Sequence, residues 1–280
     1  MRDSRRTRLG HLCSFAAQDD RRFVTRNALA HQTIGSGDNT VVFVHGFTQT
    51  GDSWRPFIEV LLPQLANTKA ILVDLPGHGA SADLRLDLRN TAEALVATGG
   101  RATYVGYSLG ARVMLHAALA HANLVERCVL ISGTAGIDDE IERRARRNAD
   151  EQLAERIEQI GTAAFIDEWL AQPLFAHLTP SQAQRAERLV NSPIGLASSL
   201  RLCGTGTQTP LWNRLAALSQ PLLVVAGARD EKFVALARRM AELAPHARLE
   251  IIADAGHSAH LEQPTTLAGA FAHWITSPRT

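Results

Sequence analysis

The chain predicts an α/β fold: a mostly parallel central sheet with helices on both faces, interrupted by a helical insertion. Three observations predict it. Short, continuously apolar runs recur at 41–44 (Val-Val-Phe-Val), 70–73 (Ala-Ile-Leu-Val), 128–131 (Cys-Val-Leu-Ile) and 222–226 (Leu-Leu-Val-Val-Ala), with helix-prone stretches between them, as expected of strands buried on both faces. Residues 138–216 break that rhythm with helical periodicity and no strand pattern. Gly106-Tyr107-Ser108-Leu109-Gly110 lies between a β-prone run at 102–105 and a helix-prone run at 111–120, which puts a serine at the apex of a strand–turn–helix.

Taken in order, residues 1–21 are basic and weakly patterned and are expected to form a loose arm. Two short strands are expected between Phe23 and Ile34, then a turn over 34–39. The 41–44 strand ends in His45-Gly46-Phe47-Thr48, and a helix should follow over about 53–66 with Ser53 as N-cap. The 70–73 strand runs into the Gly/Pro loop Asp74-Leu75-Pro76-Gly77-His78-Gly79, and a helix near 90–97 leads to the 102–105 strand. Beyond 128–131, helical pieces are expected at 138–160, charged and amphipathic, and at 162–170, 181–190 and 195–201. Strands resume at 222–226 and 249–252, and a last helix covers about 264–275 with Pro264 in its first turn. Because strands return after the helical stretch, the core reads as 22–137 plus 217–280. The 138–216 segment reads as a lid over the strand ends, where open α/β sheets bind ligands.

Composition narrows the function. With 280 residues and 45% hydrophobic content, a sizeable core is available. A net charge of +1 provides no basic footprint for nucleic acid or an anionic membrane. The three cysteines, Cys13, Cys128 and Cys203, are far apart and fit no zinc spacing, which predicts a reducing, cytoplasmic setting without a metal. No apolar run is long enough to span a bilayer, and no hydrophobic stretch follows Arg2, Arg5, Arg6 and Arg8 to make a signal peptide. The expectation is an enzyme without a cofactor, acting on a small molecule as a monomer or small homo-oligomer.

A serine needs a histidine to take its proton and an acid to orient that histidine. In this strand order the acid and base follow the late strands. Asp230 follows the 222–226 run in Gly-Ala-Arg-Asp, and His257 follows the 249–252 run in Ala-Gly-His. Ser108, Asp230 and His257 can therefore converge on one edge of the sheet. The plainer alternatives are a loop carboxylate paired with Arg229 or Lys232, and an ordinary loop histidine. The oxyanion hole should use the N–H of Leu109 and an N–H from the loop after the first buried strand, assigned to Phe47. His45 is expected to shape a turn, His78 sits in a Gly-rich loop, and His260 could support the His257 loop; none is expected to be catalytic.

Arg112 opposes the dipole at the start of its helix. It either bridges to a loop carboxylate or binds an anionic substrate beside the serine, where its fork suits a carboxylate. In the lid, Arg143, Arg144, Arg146 and Arg147 read mainly as a solvated face, with Glu142 pairing Arg146 and Arg147 pairing Glu151. One of them turned toward the serine would form a second anion clamp, and Arg188 is a third candidate. Trp169 could pack on a ring substrate or belong to the core.

Val44-His45-Gly46-Phe47-Thr48, Asp74-Leu75-Pro76-Gly77-His78-Gly79 and Gly106-Tyr107-Ser108-Leu109-Gly110-Ala111-Arg112 together resemble the α/β-hydrolase superfamily. More narrowly, they resemble the 2-succinyl-6-hydroxy-2,4-cyclohexadiene-1-carboxylate (SHCHC) synthases of menaquinone biosynthesis. The lid carries the specific part: residues 199–208 (Ser-Leu-Arg-Leu-Cys-Gly-Thr-Gly-Thr-Gln) with Leu211-Trp212, Arg146 with Asp150, and Trp169 with Gln172-Pro173. Asp230-Glu231-Lys232-Phe233 and Gly256-His257-Ser258-Ala259-His260 match outside it, and the likeness spans about 40–275. Ala111 stands where the family often has a second glycine. The resemblance implies a Ser-His-Asp triad that eliminates pyruvate from a cyclohexene polycarboxylate. Ser108 would be the base, with Arg112, Arg146 and Arg188 on carboxylates and Tyr107 and Trp169 lining the site. The competing expectations are a serine hydrolase, either a carboxylesterase or a C–C bond hydrolase, and a non-catalytic relative used as a binding module.

Overall fold

The structure, a computed structural model, describes residues 28–277. The expected arm at 1–21, Cys13 and the start of the 23–34 stretch lie outside the described residues. Seven strands, β1 (His31–Gly35), β2 (Asn39–Val44), β3 (Thr68–Val73), β4 (Ala102–Tyr107), β5 (Val125–Ile131), β6 (Leu222–Gly227) and β7 (Ala247–Ile252), form one sheet in the order β1-β3-β2-β4-β5-β6-β7. Only β1 pairs antiparallel, on β3; every other pair is parallel. The interior strands β4 and β6 are buried at every residue, whereas β1 at the edge is mostly exposed.

The period of two along a strand divides each apolar run between two layers. Val42 and Val44 pack on one face with helices α2 (Leu88–Gly99), α3 (Leu109–Ala120) and α7 (Glu231–Leu243). Val41 and Phe43 pack on the other with α1 (Arg55–Leu61) and α9 (Pro264–Thr276). Asp87 caps α2, accepting from the Asn90 N–H at 2.8 Å. The sequence reading passed over α7 and the short α8 (Ala259–Glu262), although in α7 Val234, Ala237 and Met240 recur at helical spacing and pack on the core.

The helix expected over 53–66 is broken. A tight turn at Gly51–Trp54 precedes α1, and another at Leu62–Gln64 follows it. Pro63 has no N–H to continue α1, and Ser53 lies inside the first turn, its hydroxyl accepting from Thr50 N at 3.4 Å. In the 138–216 segment, the two pieces expected at 138–160 and 162–170 both form, as the two halves of α4 (Glu140–Leu170), separated by a kink where Gly161 leaves helical conformation at φ 77° and ψ 168°. The helix expected over 181–190 shrinks to α5 (Arg185–Arg188), because Gln184 takes a left-handed conformation, φ 50°. α6 (Pro193–Cys203) packs on α4 around Ile157, Phe165, Leu196 and Leu200. Among the described residues, no helix is long and apolar enough to cross a membrane.

Candidate active site

Ser108 begins at the end of β4 with φ 52° and ψ −105°, a conformation side chains rarely adopt. The two flanking glycines make it fit. A Cβ on Gly106 would lie 2.5 Å from the Gly110 carbonyl oxygen, and one on Gly110 would lie 2.1 Å from that of Val44. The Ser108 N–H donates to the Ile131 carbonyl at 2.9 Å, which ties the turn to β5.

The structure brings Ser108, His257 and Asp230 together. His257 Nε2 lies 3.3 Å from Ser108 Oγ, and His257 Nδ1 lies 2.7 Å from Asp230 Oδ2. A carboxylate on Nδ1 holds the proton there and leaves Nε2 to accept from the serine hydroxyl. Asp230 also caps α7, accepting from the Phe233 N–H at 3.3 Å. The alternative pairing of Asp230 with Arg229 does not form: Arg229 bridges to Asp254 at 2.8 Å.

Support for the histidine comes from a residue the sequence reading passed over. Glu262 accepts from the Gly256 N–H at 2.6 Å and the Ser258 N–H at 3.0 Å, on either side of His257. Ser132 Oγ donates to the His257 carbonyl at 2.7 Å. His260, the expected support, makes no hydrogen bond; its ring packs between Trp54 and Tyr107, at 4.5 and 4.4 Å. Glu262 leaves a signal only in its position, five residues after the histidine and just before Pro264.

Ser108 and His257 open into a cavity also lined by Phe47, Tyr107, Leu109, Arg112, Arg146, Trp169 and Arg188. Asp230 sits behind His257. Among the described residues, no hydrogen bond engages the N–H of Phe47 or Leu109, so both donors remain free. Tyr107 shares a 2.8 Å hydrogen bond with Ser258, and burial raises its phenol well above the ordinary range. Trp169 packs with the apolar groups around it, stacking on Phe165 at 5.9 Å and meeting Phe47 edge-on at 5.2 Å, and it also lines the cavity.

The arginines differ sharply. Arg112 is 7% exposed, its Nη1 has no hydrogen-bond partner, and no described carboxylate lies within ion-pair distance. The loop salt bridge is therefore not formed. Burial lowers its pKa to about 10, so it is still a cation at neutral pH. Arg188 is also buried, its pKa likewise lowered by burial to about 10; it donates to the Ala183 carbonyl at 2.8 Å and to the Thr48 hydroxyl. Arg146 pairs with the buried Asp150 at 2.7 Å and not with Glu142, because Asp150 also accepts from the Gly206 N–H. Arg147 turns to the Gly206 carbonyl at 3.3 Å, and Glu151 pairs with Arg201 instead.

His45 and His78 shape the neighbouring loops. His45 Nε2 accepts from Leu75 N at 3.0 Å, and His78 Nε2 accepts from Thr48 N at 3.3 Å. Burial lowers their pKa values to about 4 and about 3, so both are neutral near pH 7.

Comparison with known proteins identifies the family of the fold. Residues 41–270 match the alpha/beta hydrolase family. The 2-succinyl-6-hydroxy-2,4-cyclohexadiene-1-carboxylate synthase of Salmonella typhimurium (strain LT2) is 34% identical over 250 residues, 86% of this chain and 96% of that protein. The structure of MenH from S. aureus superposes with a TM-score of 0.81 at 30% identity, covering 88% of this chain and 97% of that one. A malate-bound thermophilic esterase from Thermogutta terrifontis gives 0.75 at 25% identity, over 90% and 94% of the two chains. From its sheet, its serine turn and these likenesses, the chain belongs to the alpha/beta hydrolase family and within it resembles the SHCHC synthases.

Proposed function

We propose that this chain is a lyase of menaquinone biosynthesis that eliminates pyruvate from 2-succinyl-5-enolpyruvyl-6-hydroxy-3-cyclohexene-1-carboxylate, giving SHCHC. The observation that carries this reading is Arg112. A buried guanidinium with an unpartnered Nη1 and no ion pair is costly, Asp150 attracting it only at longer range, and the cost falls when a ligand supplies the anion. The substrate carries several carboxylates, and Arg112, Arg146 and Arg188 all line the cavity.

In the reaction, His257 Nε2 takes the hydroxyl proton of Ser108, and Asp230 stabilises the resulting imidazolium. The serine oxygen removes the ring proton at C2, next to the succinyl ketone. Charge develops on the ketone oxygen, where the N–H groups of Phe47 and Leu109 receive it. The electron pair then forms C2=C3, the ring double bond shifts to C4=C5, and the C5–O bond breaks. The leaving enolpyruvate takes the proton held by His257 and tautomerises to pyruvate. No acyl-enzyme forms. Tyr107 and Trp169 flank the ring.

The test is pyruvate release from the cyclohexene precursor, coupled to lactate dehydrogenase and corrected for the precursor's spontaneous decay. Acceleration that disappears in Ser108→Ala is the expected result, with a loss of about 10⁴-fold or more. No acceleration, with a burst of p-nitrophenol from a short ester, would move the chain to the serine hydrolases, a reading favoured by its likeness to the esterase fold.

A further inference from the structure

The loop that presents the Phe47 N–H ends in Thr48, a fully buried β-branched residue held at φ 68°. Such a conformation persists only where its surroundings impose it. The core supplies one restraint, the bond from Thr48 N to His78. The other two come from the lid. Asn191 Nδ2 donates to the Thr48 carbonyl at 2.8 Å, and Arg188 donates to the Thr48 hydroxyl. The same Asn191 side chain accepts, through Oδ1, from the Gly79 N–H at 2.8 Å, so one carboxamide clamps two core loops together. Its carbonyl in turn accepts from Thr162 Oγ1 at 2.9 Å, anchoring the clamp to α4. Asn191 is 3% exposed and does not line the cavity.

We infer that Asn191 is a positioning residue: the lid, through this side chain, sets the Phe47 amide that receives negative charge in the active site. Seating of the lid and completion of the oxyanion hole are then one event, because Thr48 loses two of its three hydrogen bonds when 188–191 lifts away, leaving the loop only its bonds to the core, from Thr48 to His78 and between Gly46 and Gln49. The inference rests on Phe47 being the oxyanion donor, as in the proposed function.

Asn191→Ala removes both halves of the clamp, and Asn191→Asp keeps the acceptor for Gly79 but sets a carboxylate against the Thr48 carbonyl. Two rates are measured on each: pyruvate release with kcat and KM separated, and phosphonylation of Ser108 by a p-nitrophenyl phosphonate. The phosphonate places its phosphoryl oxygen on the same N–H pair and needs no elimination. Both variants should lose about 10²-fold in kcat and a similar factor in phosphonylation, as expected when an oxyanion donor is misplaced, with KM changed less than about threefold. A folded Asn191→Ala with both rates within twofold of wild type would overturn the inference, as would a rise in KM alone, which would make Asn191 a substrate-binding support. If Asn191→Ala does not fold, Asn191→Ser, too short to span the two loops, carries the same expectation. If wild type releases no pyruvate yet is phosphonylated, the lyase reading fails while the clamp is still judged on phosphonylation alone.

Discussion

The core and the 138–216 segment face the same cavity, but different forces hold them. In the core, Ser108, Asp230 and His257 follow the C-terminal ends of β4, β6 and β7, strands held by parallel ladders and by apolar layers on both faces. In the lid a small apolar cluster around Phe165 and Leu196 is flanked by exposed ion pairs, among them Arg156 with Glu168 and Arg185 with Asp167. Solvent screens such pairs and they add little rigidity. Under the proposed function, chemistry that needs close placement sits on the sheet, and the groups that would grip the anion sit partly on the 138–216 segment. Arg112 belongs to the core helix α3, whereas Arg146 and Arg188 belong to the lid.

The sharpest way to break that contrast is to replace one arginine from each region by methionine. Arg112→Met removes a buried cation that makes no ion pair, Asp150 attracting it only at longer range. It should cost at least 10²-fold in kcat/KM yet leave the free protein as stable or more so, because an unpaired buried charge is replaced by apolar volume. Arg146→Met leaves Asp150, which is 2% exposed, without its ion-pair partner, so it should lower activity and stability together. Thermal melts beside pyruvate kinetics decide the matter. If both variants shift Tm in the same direction, Arg112 has a structural partner and the anion-clamp role fails.

This contrast also explains what could be read from the residues. Each strand of the parallel sheet is a short apolar run, a local signal, and Ser108, Asp230 and His257 each follow one at a short distance. Those features needed no knowledge of remote contacts. Asn191 is 143 residues from Thr48, and Glu262 acts through two amides of a loop whose path only the folded chain reveals. Helical spacing allowed Arg146 to pair with either Glu142 or Asp150. The choice was made by Gly206, brought against α4 from beyond α6. Gly161 was legible as a break in helical pattern, and the chain does leave helical conformation there, at φ 77° and ψ 168°.

Acid should act on the core before the lid. His45 and His78 have folded pKa values of about 4 and about 3, lowered by burial from an ordinary 6.5. The unfolded chain takes up these protons first, so their contribution to stability is complete above pH 6.5. It is lost progressively as the pH falls from there toward 4 and 3. Each group adds a slope of up to about 1.4 kcal/mol per pH unit in that window. The lid carboxylates Glu158, Asp167 and Glu168 have pKa values lowered by their arginine partners, so their pairs persist below pH 4.5. Urea melts at pH 7.5, 6 and 5 should show stability falling below pH 6.5, and His78→Gln, which keeps an acceptor for Thr48 N, should flatten that fall. A curve that is level from pH 7.5 to 5 would show that these histidines are not buried neutral.

The smallest effect belongs to Arg201, and its smallness is the point. Arg201 lies on α6 and reaches Glu151 at 2.8 Å and Glu158 at 2.6 Å on α4, the densest ionic contact between those two helices. Its side chain is 33% exposed and both carboxylates are more so, which leaves the network open to solvent and salt. Arg201→Ala should therefore lower stability by about 1 kcal/mol or less, and by less still at 1 M salt. The apolar seam of Ile157, Phe165, Leu196 and Leu200 runs beneath the same contact, and burial of those side chains is what holds α6 on α4. Leu196→Ala, by contrast, should cost about 2–5 kcal/mol, the range for emptying a filled core site. Should Arg201→Ala prove the more damaging of the two, the lid would be held by charge, and its ionic contacts would have to be counted with the core's packing as determinants of the site.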